Sequence, residues 1–309
     1  MSLLTKINGL AFANINKVNS LARSSTDKVS GTRNFLDNNA VARSITSSDV
    51  NHAIYIADSD GDYRIDHDDA FSVSFWIKVG WDVSLNTYVY GLASHDVGGS
   101  YNDDMFRVYY YEPHNRIWVE WRSASSHKRQ QFWHFHDNYG TYAVAYAAAG
   151  LGATYWNSSN RGNVGDDDYT LITVTRGTAN TSVYANLKLY WNATDCGQGY
   201  YKSGSGGGAG TPNMGNSTDK VVALGSNSWA FGRAGNNTEG KYNGLTLWNK
   251  ELSSGEVSEL YNGGTPLHVG THSAYANCIG WYDFEDDGAG EVSGNAAFAI
   301  NGDSNLEAK

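Results

Sequence analysis

The chain has 309 residues, a formal net charge of -10 and a pI near 5.3, and 13% of its residues are aromatic against only 17% charged. That balance offers no general attraction to phosphate backbones or anionic lipid, so neither nucleic acid nor membrane is an expected partner. No apolar run approaches the ~20 residues of a membrane span, and 21 Tyr, 10 Trp and 35 Gly suit strands joined by tight turns, which reads as all-β.

The first 33 residues are repetitive. Lys6-Ile7-Asn8-Gly9-Leu10-Ala11 returns as Lys17-Val18-Asn19-Ser20-Leu21-Ala22 and again as Lys28-Val29-Ser30-Gly31, at an 11-residue offset. A fixed period marks one small structural unit used repeatedly. The Asn-Gly and Val-Asn-Ser steps are poor helix formers, so short extended segments separated by turns are expected. Three such units build no core of their own and must dock on something. Residues 1–33 are therefore expected to be an anchoring arm, with Ile7, Leu10, Val18, Leu21 and Val29 filling grooves on a neighbour. The start of the chain lacks the charged-then-apolar layout of a secretory signal, and export by that route is not expected.

Residues 34–50, rich in Asn and Ser, read as a linker, and 51–309 as one β domain. A first strand is expected near Ala53–Ala57. Phe71, Val73, Phe75, Ile77 and Val79 then alternate with Ser72, Ser74, Trp76 and Lys78. This is the period of a strand with one buried face; the other face, with Trp76 and Lys78, is expected to be concave and partly wet. Met105–Tyr111 and Ile117–Arg122 read as a hairpin, followed by a strand over Gln130–His136. Residues 139–168 read as a loop insertion. Tyr169–Arg176 and Ser182–Trp191 are strong strands, 203–219 is a Gly- and Ser-rich loop, and Lys220–Leu224, Trp229–Gly232 and Leu245–Trp248 are shorter strands. Ser253 and Glu256 have capping-box spacing before a two-turn helix that Asn262-Gly263-Gly264 stops. Cys278–Glu285 is the last clear strand.

Three of these segments resemble the laminin-G-like or concanavalin-A-like jelly-roll domains. They are Phe71–Val79, the hairpin Tyr169–Trp191 with its Lys188-Leu189-Tyr190-Trp191-Asn192 run, and Asn243–Ser253 leading into Glu256 and Leu260-Tyr261. Together they span roughly residues 50–265. The resemblance implies a two-sheet antiparallel jelly-roll sandwich, concanavalin A-like, with an extended N-terminal arm and one short helix near 253–262. More narrowly, the Lys-Ile-Asn-Gly-Leu-Ala units and the passage from Asn262-Gly263-Gly264-Thr265-Pro266 to Ile279-Gly280-Trp281-Tyr282 are similar to structural proteins of tailed bacteriophages. That resemblance implies a non-enzymatic virion component, such as a decoration protein, fibre or adhesin. Its arm would contact other virion proteins and sister subunits in a homo-oligomer, and its domain would be displayed outward.

Several residue groups invite a more specific chemistry. Asp58, Asp60 and Asp62 alternate, as hard oxygen ligands for Ca²⁺ do, but Gly61 stands where an EF-hand loop would not have it, and a solvated acidic turn is the plainer reading. Asp283, Glu285 and Asp287 would share one strand face, and glycoside hydrolysis needs a carboxylate pair across the scissile bond; an exposed strand end is the plainer reading. His134 and His136 would share a strand face, with His127 near in sequence, but no third metal ligand is assignable and surface histidines are the plainer reading. Trp118, Trp121, Trp133, Trp156, Trp229 and the run Tyr109-Tyr110-Tyr111 offer a platform on which sugar rings stack, with Trp118, Trp121 and Trp133 as the candidate contacts, giving a carbohydrate-binding adhesin or receptor-binding module as the alternative function, with host-surface glycan as partner. Glycoside hydrolysis is the remote third reading. Cys196 and Cys278 read as two free thiols, with a single bridge left open.

Overall fold

A computed structural model describes the backbone of residues 6–7, 10–11, 41–45, 53–58, 70–79, 88–96, 105–111, 116–123, 127–134, 169–177, 187–198, 200–203, 220–224, 240–267, 269–282, 298–301 and 304–308, and the side chains of 70–77, 108, 117–119, 169–177, 187–197, 243–267 and 270–282. In chain order the strands are β1 (Lys6–Ile7), β2 (Leu10–Ala11), β3 (Val41–Ile45), β4 (Ala53–Asp58), β5 (Phe71–Val79), β6 (Tyr88–Asp96), β7 (Met105–Tyr111), β8 (Arg116–Ser123) and β9 (His127–His134). There follow β10 (Thr170–Arg176), β11 (Leu187–Trp191), β12 (Thr194–Gln198), β13 (Tyr200–Ser203), β14 (Lys220–Leu224) and β15 (Gly240–Trp248). Helix α1 (Ser254–Tyr261) precedes β16 (Cys278–Tyr282), β17 (Phe298–Asn301) and β18 (Ser304–Ala308).

Among the described residues, two eight-stranded antiparallel sheets make a jelly-roll sandwich of the concanavalin A-like kind. One runs β12-β11-β10-β5-β15-β3-β18, with β16 also on β15, and the other runs β13-β9-β8-β7-β6-β14-β4-β17. Strand β15 spans β5 along its whole length, so its other edge is shared by β3 at Gly240–Tyr242 and β16 at Leu245–Trp248. The stretch expected to be a linker thus contributes a strand, β3, placed between β15 and β18.

The alternation of β5 works as expected on its first face. Phe71, Val73, Phe75 and Ile77 are buried, and register carries that face through Ile172 and Val174 on β10, Leu189 on β11, and Leu245 and Leu247 on β15. Fully burying such side chains stabilises the fold by roughly 1.5–3 kcal/mol each.

The second face differs from expectation: it is not wet where its side chains are described. Trp76 is only 3% exposed and stacks on Tyr261, with ring centroids 5.8 Å apart. It joins Leu171, Tyr190, Trp248 and Trp281 from the sheet with Leu252, Val257 and Leu260 from α1 and its approach. This forms a second apolar core between sheet and helix. The two serines on this face are buried but satisfied. Ser72 Oγ donates to Lys250 O and accepts from Leu252 N, while Ser74 Oγ pairs with Thr173 Oγ1.

The helix begins where Ser253 and Glu256 exchange hydrogen bonds in a complete capping box and ends at Asn262 in the left-handed conformation. Lys250 Nζ lies 2.6 Å from Glu256 and extends the cap's hydrogen bonding. His272 clips the following turns to the helix. Its Nδ1 accepts from Ala274 N, so Nε2 carries the proton and donates to Glu256 O, with the ring 4.8 Å from Trp248.

Candidate functional site

The sheet that does not carry α1 brings together most of the aromatic strands. Val108 faces Val119 in register, Ile117 lies two residues along from Val119, and all three are 3% exposed or less against 9% for Trp118 between them, so their face is the more deeply buried and is taken as the inward one. Trp118 belongs to the opposite face by the strand's period of two. Register places Tyr90, Tyr109, Trp118, Phe132 and Tyr200 in a single cross-strand row over β6, β7, β8, β9 and β13. The neighbouring row holds Tyr88, Tyr111, Arg116 and His134. Neighbouring positions of a row stand one strand spacing, about 4.8 Å, apart along the backbone.

The three tryptophans expected to act together are divided by this register. Trp121 has the parity of Ile117 and Val119, and Trp133 sits opposite Ile117, so both positions fall on the inward face. Trp118 alone lies on the outer one. Its own side chain is only 9% exposed, so little of its ring is open to solvent. Tyr109 is among the aromatics the sequence offers for that platform, whereas Tyr90, Phe132 and Tyr200 join it only through cross-strand register, not through spacing along the chain.

Of the other expected sites, Ile7 and Leu10 face each other across the β1–β2 pair, whereas Val18, Leu21 and Val29 lie outside the described residues. Asp58 ends β4 opposite Lys220; Asp60 and Asp62 lie outside the described residues, as do Asp283, Glu285, Asp287 and His136. His127 and His134 occupy the two ends of β9, opposite Ser123 and Arg116. Among the described residues no group of three or more His, Cys, Asp or Glu is arranged to hold a metal ion.

The ionisable groups that are described serve the scaffold. Burial works against ionisation of Glu256, but hydrogen bonds from Lys250 and Ser253 outweigh it and hold the carboxyl below its usual range. The Ser273 hydroxyl, with its backbone N–H, does the same for Glu259. The hydrogen bond to Glu251 holds the Lys188 ammonium above its usual value. Cys196 and Cys278 are both free and buried, and burial pushes each thiol up to about 12, so neither is a thiolate nucleophile near neutrality. His272 has both ring nitrogens engaged by backbone, which leaves no lone pair for general-base work.

No protein-family model and no curated protein matches the chain in sequence. Among solved structures it is similar to a native heptameric SAP-like pentraxin from Limulus polyphemus, at 11% identity and a TM-score of 0.45, covering 88% of this chain and 96% of that one. It is also similar to the CBM40 of the Ruminococcus gnavus IT-sialidase, bound to alpha2,6 sialyllactose, at 13% identity and a TM-score of 0.40, covering 72% and 99%. A third is the binding domain of botulinum neurotoxin serotype G, at 15% identity and a TM-score of 0.37, where the match covers 63% of this chain and 36% of that one.

Proposed function

We propose that the chain is a non-catalytic carbohydrate-binding domain that engages glycan on the outer face of the β13-β9-β8-β7-β6 sheet. The observation that carries this reading is the cross-strand row Tyr90, Tyr109, Trp118, Phe132 and Tyr200. Aromatic faces complement the apolar faces of sugar rings, and the polar edge of Tyr adds a hydrogen-bonding group. Trp118 serves as the floor of that face, and the flanking positions supply the contacts. The opposite sheet supports the same assignment of roles, since α1 already covers its outer face around Trp76. The full chain on a glycan array should give saturable binding to a restricted set of glycans. Tyr109→Ala and Tyr200→Ala should each weaken it while the thermal midpoint stays within a few degrees. Silence across the array would refute the reading.

A second reading is compatible with the first: the domain is an exposed component of a particle, held by its N-terminal arm to other particle proteins and to sister subunits. What supports it is that, among the described residues, β1 and β2 pair with each other and with neither large sheet. A hairpin that short is marginal alone in water and gains from docking on a neighbour. Between the two strands the sequence reads Asn8-Gly9, a step suited to tight hairpin turns.

A further inference from the structure

We infer that the glycan bound by this face is acidic, one whose sugars carry carboxylate groups; this rests on the carbohydrate-binding reading above. The chain has 32 acidic against 22 basic residues, so an ordinary solvated face would be expected to lean acidic. The outer face of these strands leans the other way. By register and parity it carries Arg107 on β7, Arg116 and Arg122 on β8, Lys128 on β9 and Lys202 on β13, with Glu120 as the acid among the same positions. Glu120 lies directly opposite Arg107, so the excess belongs to the other four.

A second observation comes from pairing. Arg122 and Lys128 are directly opposed across β8 and β9, and Arg116 is flanked by His134 on the same row. Like charges directly opposite each other destabilise a sheet. Fold stability alone therefore disfavours this arrangement, whereas an anion seated over the pair would reverse its sign. Arg presents a planar fork that matches a carboxylate bidentately. By register the aromatic row lies between the row of Arg116 and the row of Arg107, Glu120 and Lys202, with Arg122 and Lys128 one row further on, so a sugar stacked on it has basic positions to either side. A basic patch on a chain of net charge -10 also makes attraction local to this face rather than general.

The test uses the full chain and calorimetric titration with four probes: oligosaccharides ending in a nonulosonic acid, oligosaccharides containing uronic acid, the carboxyl-reduced form of each, and a DNA duplex. At least one carboxylated glycan should bind, with its reduced counterpart about tenfold weaker or worse, and added salt should weaken the binding. Which of the two acid classes binds identifies the source of the carboxylate. The double variant R122Q/K128Q should lose about tenfold in affinity for the acidic glycan while its thermal midpoint holds or rises, because repulsion has been removed. Arg116→Gln should weaken the same glycan. Equal binding of acidic and reduced forms would overturn the inference and leave the carbohydrate reading standing. Binding of DNA as tightly as of any glycan would overturn it as a general polyanion effect. Failure of every glycan, neutral or acidic, would remove the carbohydrate reading itself.

Discussion

Ala193 sits at φ +66 beside Asn192 at φ +48, in the two-residue turn that joins β11 to β12. An L side chain in that region costs about 1–2 kcal/mol, and glycine avoids the cost while losing about 0.5–1 kcal/mol of chain entropy. Ala193→Gly should therefore raise stability slightly, by up to about 1 kcal/mol, measured as a shift in urea midpoint at constant slope. The turn survives with alanine because Asn192 is tied down: its Oδ1 accepts from Leu171 N and its own N–H donates to Leu171 O. Ser72 is the opposite case. Its hydroxyl is the acceptor for the buried Leu252 N–H, so Ser72→Ala leaves that donor without its partner and should cost about 1–3 kcal/mol. A loss below half a kilocalorie in the same urea experiment would show that water or a shifted backbone replaces it. The two thiols make a simple check of the core. With both pushed up to about 12 and buried, Cys196 and Cys278 should resist a thiol reagent at pH 8 in the native protein and react together once it is unfolded.

At the scale of elements, α1 and its cap are where charge enters stability. Glu256 and Glu259 are both held below the usual carboxylate range in the fold. Their contribution is complete above the unfolded-state value near ~4.3 and is lost as pH falls through the lower folded values. The thermal midpoint should therefore be flat from pH 8 to about 5 and fall below about 4. Glu256→Gln, which keeps a capping side chain but no charge, should make that fall shallower.

This helix was legible because its signals are local: Ser253, Glu256 and Asn262 lie within ten residues of one another. Strand β5 was legible for the same reason, its alternation being complete in nine residues. What covers its second face was not, because Trp76 meets Tyr261 from far along the chain and Ser72 meets Leu252 across a separation of 180 residues. Two strands were hidden by irregular backbone. In β6 the register shifts between Tyr90 and Leu92, at Gly91, which breaks the period that would have revealed it. Strand β12 follows the left-handed Asn192-Ala193 turn, where glycine would have been the visible signal. The candidate face shows the same limit. The opposite parity of Trp118 and Trp121 can be read along β8, but the place of Trp133 with Trp121 follows only from its pairing with Ile117.

For the whole molecule, the question is where the arm ends and the sandwich begins. β1 and β2 make a sheet of their own, whereas β3, starting at Val41, is bonded on both sides by β15 and β18. Two truncations separate these roles. Removing residues 1–33 takes away the repeats and leaves β3 in place, so the remaining chain should fold with an unchanged thermal midpoint and an intact glycan response. If the arm fastens subunits, that same chain should lose self-association in sedimentation at concentrations where the full protein assembles. Removing residues 1–50 also deletes the strand between β15 and β18. That leaves the ladder edges of both neighbours unpaired and strands β18 from its sheet, so this shorter chain should melt lower or aggregate through the exposed edge. If the first truncation assembled as fully as the parent chain, the arm would have no fastening role. If the second were as stable as the first, β3 would be an accessory to the sheet and the boundary at residue 50 would stand.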